Sequence, residues 1–143
     1  MKRIVGFGLA VATALVVGGQ VTPAQAATKV PSKLRHSWYQ HFKGAKDPEF
    51  IKLTASSIDS GSKAYHHKIK GKALKVKKHK GGWVEIGKKG ITNPYYKTKK
   101  MKISGKKRTV LLKWMNPSYR YVYVYVSGAK TILPYNKAEL NLK

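Results

Sequence analysis

The stretch that decides the fold of this chain runs from residue 119 to residue 126 and reads Tyr119-Arg120-Tyr121-Val122-Tyr123-Val124-Tyr125-Val126. Its side chains alternate, so that tyrosines occupy one face and valines the other. Both residue types favour the pleated, half-buried surface of a sheet, and a period of two is typical of a strand. We therefore expect a strand over residues 119–126 and an all-β fold built around it.

The segment just before this strand alternates in the same way. Between Arg108 and Trp114, the apolar residues Val110 and Leu112 share a face with Trp114. The four residues that follow, Met115-Asn116-Pro117-Ser118, contain the Asn, Pro and Ser that turns prefer. The two segments together therefore predict a β-hairpin.

Further alternating segments are bounded by Gly, Pro or Asp. They predict strands over residues 37–42, 50–54, 65–70, 73–78, 83–86 and 95–103. Seven or eight strands at this spacing, with no helix of ordinary length, favour a small antiparallel meander closed into a barrel or sandwich. We expect a single β-rich domain over residues 36–143, with Trp38, Trp83 and Trp114 in its core.

The C-terminal end fits two interpretations. Asn136 followed by Glu139 has the spacing of a capped helical turn, whereas Leu140 and Leu142 alternate as in a strand. The interpretation that we adopt is a short C-terminal helix.

The N-terminal end carries the three parts of a secretory signal peptide. Lys2 and Arg3 form a positive region, an uncharged apolar run over residues 4–19 follows, and Ala24-Gln25-Ala26 has the small-x-small pattern of a cleavage site. A membrane-spanning helix needs roughly 20 apolar residues, and Gly, Gln and Pro interrupt this run. We therefore expect a signal peptide over residues 1–26, an extended lead-in over residues 27–35, and no transmembrane segment after processing.

The residue types of the mature chain fit a folded, exported domain. There is no cysteine, which excludes a lipid-modified cysteine anchor and a disulfide framework. Three Trp, nine Tyr and three Phe supply a core and argue against disorder. An exported domain without disulfides suits a Gram-positive secretory route, and we expect the protein to be retained non-covalently at the cell surface.

Positive charge dominates the composition, with 30 Lys and Arg against 5 Asp and Glu and a formal net charge of +25. Such an excess bears on partners and solubility rather than on the fold. Lys greatly outnumbers Arg, which favours diffuse attraction to a polyanion over bidentate recognition of single phosphates. The alternative is a solvated face that only keeps the protein soluble. The residues predicted to bind a polyanion form two clusters, namely Lys68, Lys70, Lys72, Lys75, Lys77, Lys78 and Lys80, and Lys97, Lys99, Lys100, Lys102, Lys106, Lys107 and Arg108.

For an exported protein, the expected partners are anionic cell-wall polymers of the teichoic-acid type. Nucleic acid is the alternative, at least in vitro, because its phosphate backbone attracts lysines in the same salt-dependent way. A membrane-active antagonistic factor is a further alternative, although the mature chain shows no amphipathic cationic helix. The tyrosine face of residues 119–126 offers an aromatic platform for bases or sugars unless it packs inward, formed by Tyr119, Tyr121, Tyr123 and Tyr125.

Motifs that carry chemistry are scarce. Only Asp47 and Glu49 form a close acidic pair, and they flank Pro48 in a loop, where a turn role is expected. The spacing of the five histidines matches no metal-ligand motif, and there is neither a Gly-x-Ser-x-Gly sequence nor a nucleotide-binding loop. We therefore expect no catalytic residues, no metal and no cofactor. An enzyme that acts on cell-wall carbohydrate is the remaining alternative.

Residues 31–39, Pro-Ser-Lys-Leu-Arg-His-Ser-Trp-Tyr, resemble the opening of a group of small secreted cationic proteins of lactobacilli, whose mature chains begin with a Leu-Arg-Gly-Thr-Trp-Tyr-like segment. The likeness continues over residues 79–84, 95–97 and 105–111. It implies a lactobacillal source, export and a β-rich fold, and it implies no particular reaction. Trp38 is also similar to the Trp of the Gly-x-Trp motif on the first lipocalin strand, with His36 in place of the Gly, so a lipocalin-like topology is an analogy only.

Overall fold

The structure is a computed structural model that describes residues 29–142. The predicted signal peptide over residues 1–26 lies outside the described residues, as do residues 27 and 28 of the predicted lead-in. Within residues 29–142, no helix has the length and apolar character needed to cross a membrane.

Ten strands make up a single antiparallel sheet, which curves into a nearly closed barrel. They are β1 (Ser37–Gln40), β2 (Glu49–Thr54), β3 (Ser57–Gly61), β4 (His66–Lys70), β5 (Leu74–Lys78), β6 (Val84–Lys88), β7 (Tyr95–Ile103), β8 (Lys106–Trp114), β9 (Tyr121–Ser127) and β10 (Glu139–Asn141). Nine of them are hydrogen-bonded in the order β4-β3-β2-β1-β9-β8-β7-β6-β5, and β10 pairs with β9. The predicted all-β class and antiparallel meander are confirmed.

The predicted hairpin is formed by β8 and β9, with Leu112 opposite Val124 and Val110 opposite Val126. The other edge of β9 is shared by two strands. β1 pairs with its C-terminal end, and β10 pairs with its N-terminal end. The first and last strands of the described chain therefore lie next to each other along β9.

One face of the sheet forms the interior of the barrel. Each strand from β1 to β9 contributes at least one apolar side chain to a single buried cluster, here named the interior cluster, whose largest members are Trp38, Tyr96 and Tyr125. Side chains two residues apart on a strand share a face. A single cluster that is reached from all nine strands requires that this face be the concave one.

The opposite face of β7, β8 and β9 carries a second cluster. Val110 and Leu112 flank Leu111 in sequence and pack on the side away from it, and the valines of β9 do the same. Leu133 and Phe42, which lie outside these strands, pack against this second cluster. β8 and β9 are therefore buried on both faces over part of their length, which makes this hairpin the centre of the fold.

β3 is a strand that the sequence pattern did not indicate. Its residues are Ser57-Ile58-Asp59-Ser60-Gly61, with a single large apolar side chain at Ile58. Pairing with β2 on one side and β4 on the other supplies the backbone hydrogen bonds that hold it. Neighbouring strands, rather than its own alternation, make this segment extended.

The predicted short C-terminal helix is wrong. Residues Tyr135–Lys137 form only one 3-10 turn, and the chain then enters β10. Leu140 lies opposite Val122, so the exposed edge of β9 provides backbone partners that a short isolated helix would lack.

The predicted lead-in is not extended over its described part. Residues Ser32–Leu34 form a 3-10 turn, and Val30 and Leu34 are buried in the interior cluster. The Leu34 carbonyl accepts a hydrogen bond from Trp38 Nε1 at 3.0 Å, and the Val30 carbonyl accepts one from Arg35 Nε at 2.7 Å. Burial of two apolar side chains makes this segment part of the folded domain.

The interior cluster has a polar side near Tyr125. The Tyr125 hydroxyl donates a hydrogen bond to Glu49 Oε1 at 3.2 Å. Burial, together with the adjacent Glu49 carboxylate, raises the pKa of Tyr125, and burial alone raises the pKa of Tyr96. Burial also lowers the pKa of Lys113, against the opposing attraction of Glu49. These groups therefore resist ionisation inside the barrel, since removing a charge from water is costly.

Candidate polyanion-binding surface

The residues predicted to bind a polyanion lie on four strands and two 3-10 turns. The first cluster occupies β4, β5 and the 3-10 turns Gly71–Ala73 and Lys80–Gly82, and the second occupies β7 and β8. All of them are exposed to solvent except Lys75, Lys97 and Arg108, which are half-buried. The charge thus coats a folded sheet.

The two clusters meet at Trp83. β7 pairs with β6 through Tyr95 and Tyr96 and continues past the beginning of β6, so that Lys97 lies beside the Lys80–Gly82 turn. The Lys97 ammonium lies 5.4 Å from the centre of the Trp83 ring, within the range of a cation–π contact. The lysines of β4 continue the first cluster, since only the Gly71–Ala73 turn separates β4 from β5.

Few of these cations are neutralised by the protein itself. Among residues 29–142, the only ion pair that involves a lysine or an arginine joins Lys75 Nζ to Glu85 Oε2 at 2.9 Å. Glu85 Oε1 also lies 3.1 Å from His79 Nε2. Burial alone would raise the pKa of Glu85, but the hydrogen bonds from Lys75 and His79 outweigh it and hold this pKa below its ordinary value.

The other acids of the described chain also have defined places. Asp47 accepts hydrogen bonds from the backbone N–H groups of Ala64 and Lys63 at 3.1 and 2.8 Å, and these bonds hold its pKa below its ordinary value. Asp59 Oδ1 lies 2.7 Å from His66 Nδ1. Asp47 thus has the turn role that its loop position predicts.

Asp47, Asp59 and His66 line one cleft of about 390 Å³, and both carboxylates are engaged within the protein. No group of three or more His, Cys, Asp or Glu side chains that could hold a metal occurs among residues 29–142. The predictions of no catalytic residue, no cofactor and no metal ligand stay predictions.

A basic pocket lies where the lead-in meets the beginning of β8 and the end of β9. Its volume is about 510 Å³, and we name it the Arg108 pocket; it is lined by Lys33, His36, Trp38, Arg108, Thr109 and Ser127. Arg108 Nε is buried and has no hydrogen-bond partner within residues 29–142. Three basic side chains and two hydroxyls, with no acid among them, provide the donors that a phosphate oxygen accepts.

Sequence reasoning included Arg108 but missed Lys33 and His36. The sequence feature that could have indicated these two residues is the density of basic side chains just before Trp38. Arg108 is more than 70 residues further along the chain, and only the folded barrel places the two segments together.

The predicted aromatic platform is only partly available. Tyr125 is 2 % exposed and packs in the interior cluster, so its inclusion was wrong. Tyr125 lies on the concave face of the sheet, directly opposite Leu111 of β8, and both side chains belong to the interior cluster. Tyr121 and Tyr123 are 51 % and 40 % exposed and line a cleft, whereas Tyr119 lies outside it.

We name this cleft the aromatic cleft. Its volume is about 630 Å³, and it is lined by Gln40, Phe42, Tyr121, Tyr123, Tyr135, Asn136, Ala138, Glu139 and Asn141. None of the residues predicted to bind a polyanion lines it. The cleft is therefore chemically separate from the surface formed by the two basic clusters, which we name the lysine surface.

The three tryptophans occupy the core to different degrees. Trp38 belongs to the interior cluster and is 2 % exposed. Trp83 belongs to the second cluster, and Trp114 is half-buried against it, with the two ring centres 4.9 Å apart. The predicted core role is confirmed for Trp38 and Trp83 and is partial for Trp114.

Comparisons with protein-family models, with curated proteins and with solved structures find no match to this chain.

Proposed function

We propose that this protein binds phosphate-rich anionic polymers through its lysine surface, and that the polymers of a Gram-positive cell wall are its partners. Secretion and retention at the cell surface belong to the same proposal. No reaction is part of it.

The observation that carries this proposal is the lack of internal partners for the cations. One lysine in the described chain is ion-paired, while the residues of both clusters lie almost wholly at the surface. An excess charge of this size requires external counterions. A polyanion that replaces many small counterions gains affinity from their release.

The Arg108 pocket supports a preferred contact point within this surface. Lysines along β5, β7 and β8 attract a polyanion without fixing its position, because an ammonium is a flexible point charge. Arg108 adds a planar group with several donors, and Lys33 and His36 lie in the same pocket. Arg108 Nε is buried without a partner, so an anion that reaches it would supply the hydrogen bond that the fold does not.

Nucleic acid fits less well than a wall polymer. Proteins that bind single-stranded nucleic acid combine a basic groove with exposed aromatic rings on which bases stack. Here the exposed tyrosines of β9 lie in a cleft with Glu139 and without lysine. The basic surface and the stacking surface are thus different places on the molecule.

The test is retention of the purified mature chain on isolated Gram-positive cell walls across a salt gradient. We expect release at raised salt, and little retention on walls stripped of their phosphate polymers. Equal retention on intact and stripped walls would contradict the proposal, as would retention that salt does not reverse. Double-stranded DNA serves as the second polyanion, and a strong preference for it would replace the wall polymer by nucleic acid.

A charge-matched pair of variants separates the surface from net charge. In the first variant Lys97, Lys99 and Lys106 become Gln, and in the second Lys43, Lys46 and Lys130, which lie outside both clusters, become Gln. Both lose three charges, but only the first should release the protein at clearly lower salt. Equal shifts in the two variants would show that net charge alone matters.

A further inference from the structure

The aromatic cleft has a chemistry that the lysine surface does not explain. Four aromatic rings line it, and Tyr135 and Tyr121 are 73 % and 51 % exposed. Large exposed aromatic side chains gathered in one concavity are unusual, since burial of each ring would be favourable. Such a concavity, with a few polar groups around it, has the form of a ligand site.

The register between β9 and β10 places rings beside hydrogen-bonding groups. Tyr123 lies directly opposite Glu139, and Tyr121 lies directly opposite Asn141. Side chains of directly opposed residues share a face and lie close together. Along this seam, each phenol ring is therefore paired with an amide or a carboxylate.

A second aromatic surface faces the same cleft. The rings of Phe42 and Tyr135 are stacked, with their centres 4.6 Å apart and their planes 11° from parallel. Phe42 is half-buried against the second cluster and supports the more exposed Tyr135. Because Phe42 covers one face of Tyr135, the stacked pair presents a single flat ring face, that of the exposed Tyr135, whereas a quaternary ammonium ion is bound by several ring faces that surround it.

The cleft is held in place by Gln40. Its Nε2 group donates to the carbonyls of Val124 and Ala138 at 3.1 and 3.4 Å, which ties β1 to β9 and to the start of β10. Tyr121, Tyr123, Glu139 and Asn141 rest on paired strands, whereas Phe42 follows β1 and Tyr135 and Asn136 lie in the 3-10 turn before β10. A preorganised site of this kind loses little entropy when a ligand binds.

We propose that the aromatic cleft binds a saccharide chain without net negative charge. A sugar ring presents an apolar C–H face and an edge of hydroxyls, and the cleft presents aromatic faces beside Glu139, Asn136, Asn141 and Gln40. Amide groups donate and accept hydrogen bonds with hydroxyls, and a carboxylate accepts them. A lining with one carboxylate and no lysine or arginine disfavours an anionic sugar.

This proposal goes beyond the binding of polyanions and does not rest on it. The test uses the full mature chain in about 0.15 M salt, where exposed charges more than about 8 Å apart are screened. Two soluble neutral probes are titrated by calorimetry and NMR, a β-1,4-linked N-acetylglucosamine tetramer and maltotetraose. We expect at least one probe to bind, with chemical-shift changes confined to residues of the cleft. Which of the two saccharides binds identifies the type of glycan that the cleft prefers.

Variants of the exposed rings define the site. Tyr135→Ala should weaken binding about tenfold, or about 1.4 kcal/mol, since the apolar face of the sugar loses the most exposed ring of the cleft. Tyr135→Phe should retain the affinity, because the ring is kept. Tyr119→Ala is the matched control, since Tyr119 is 59 % exposed and lies outside the cleft.

Three results would overturn the proposal. They are the absence of binding of both probes, an equal loss of affinity in Tyr119→Ala and Tyr135→Ala, and displacement of the probe by tetramethylammonium at lower concentration than by the saccharide itself. A glycan bound in the cleft would also hold the protein on stripped walls, so the wall experiment is repeated with Tyr135→Ala. Retention on stripped walls that this variant loses belongs to the cleft, and salt-reversible retention that it keeps belongs to the lysine surface, which separates the failure of one proposal from that of the other.

Discussion

The Arg108 pocket and the aromatic cleft lie at opposite ends of the same strand and on the same face of it. Ser127 lines the pocket, Tyr121 and Tyr123 line the cleft, and the buried Tyr125 separates them. The pocket contains three basic side chains and no acid, whereas the cleft contains an acid and no lysine or arginine. One strand can therefore present two surfaces of different chemistry, because the neighbours that β9 acquires at each end differ.

The largest expected difference between these regions is in their response to salt. If a wall polymer makes about six phosphate contacts, its affinity should fall about a thousandfold between about 0.05 and 0.2 M salt. Saccharide binding in the aromatic cleft should change less than about twofold over the same range, since no counterions are released. Titration of both ligands at several salt concentrations gives, for each ligand, the slope of the logarithm of affinity against the logarithm of salt concentration. Similar slopes for the two ligands would remove the distinction.

Of the two binding surfaces, only the aromatic cleft should respond to removal of the Phe42 ring, which stacks on Tyr135. Phe42→Ala should lower the free energy of unfolding by about 2 kcal/mol, because a half-buried ring and its stacking partner lose contact. It should also weaken saccharide binding about tenfold. Polymer binding should stay unchanged, as measured by salt-gradient retention.

The control for Phe42→Ala is Phe50→Ala. Phe50 is a buried phenylalanine of β2 that lines a different cleft. Phe50→Ala should lower the free energy of unfolding by a similar amount and leave saccharide affinity unchanged. A loss of saccharide binding in both variants would point to general destabilisation.

Arg108 should be more useful to a ligand than to the fold. Arg108→Met removes the buried nitrogen that has no partner, so the free energy of unfolding should stay within about 1 kcal/mol of the original or rise. Affinity for a phosphate polymer should fall about fivefold, while saccharide affinity stays constant. Chemical denaturation and polymer titration measure the two effects.

The matched variant is Arg120→Met, which removes the same charge from an exposed position near the cleft end of β9. It should reduce polymer affinity less than Arg108→Met does. Equal losses would mean that the Arg108 pocket has no special role. A large loss of stability in Arg108→Met alone would show that the arginine is structural.

The smallest expected effect is the decrease in folding stability that follows protonation of Glu85 in acid. The pKa of Glu85 is lower in the folded state than its ordinary value of 4.5, so its stabilising contribution is complete above that pH and is lost as the pH falls through the folded value. The loss should be about 1 kcal/mol by urea unfolding at about pH 6 and about pH 3.

Glu85→Gln should remove this part of the pH dependence. Glu139→Gln, at an exposed acid in the aromatic cleft, should leave it intact. If both variants keep the full acid sensitivity, the buried Lys75–Glu85–His79 group does not contribute to it.

The sequence predicted most of the sheet because the central hairpin has strong alternation on both strands. β7 was predicted at its observed bounds, and β8 and β9 differ from the prediction by about two residues at their starts. β3 could not be predicted in this way, because it has few apolar residues and is held by the backbone of its neighbours. For β10 the alternation of Leu140 and Leu142 indicated a strand, but the capping spacing of Asn136 and Glu139 was preferred to it. Leu34 was misassigned for a related reason, since only the barrel provides the cluster in which it is buried.

The candidate sites were less predictable than the sheet. Composition and local density identified the lysine clusters, and alternation placed Tyr121 and Tyr123 on one face. The partners of these tyrosines come from segments distant in sequence, such as Phe42 and Tyr135. The spacing of residues along the chain does not indicate such a site, because the site forms only when β1 and β10 lie along the same edge of β9.

The shared edge of β9 also has a consequence for how the chain folds. Gln40 bonds to carbonyls 84 and 98 residues away, so the barrel closes only when almost the whole described chain is present. Contacts of such long sequence separation slow folding, and until β9 arrives β1 keeps an unpaired edge. Hairpins between consecutive strands can form earlier, so the species that waits for β9 and β10 is an open sheet, whose free edges must avoid pairing with other molecules until the barrel closes.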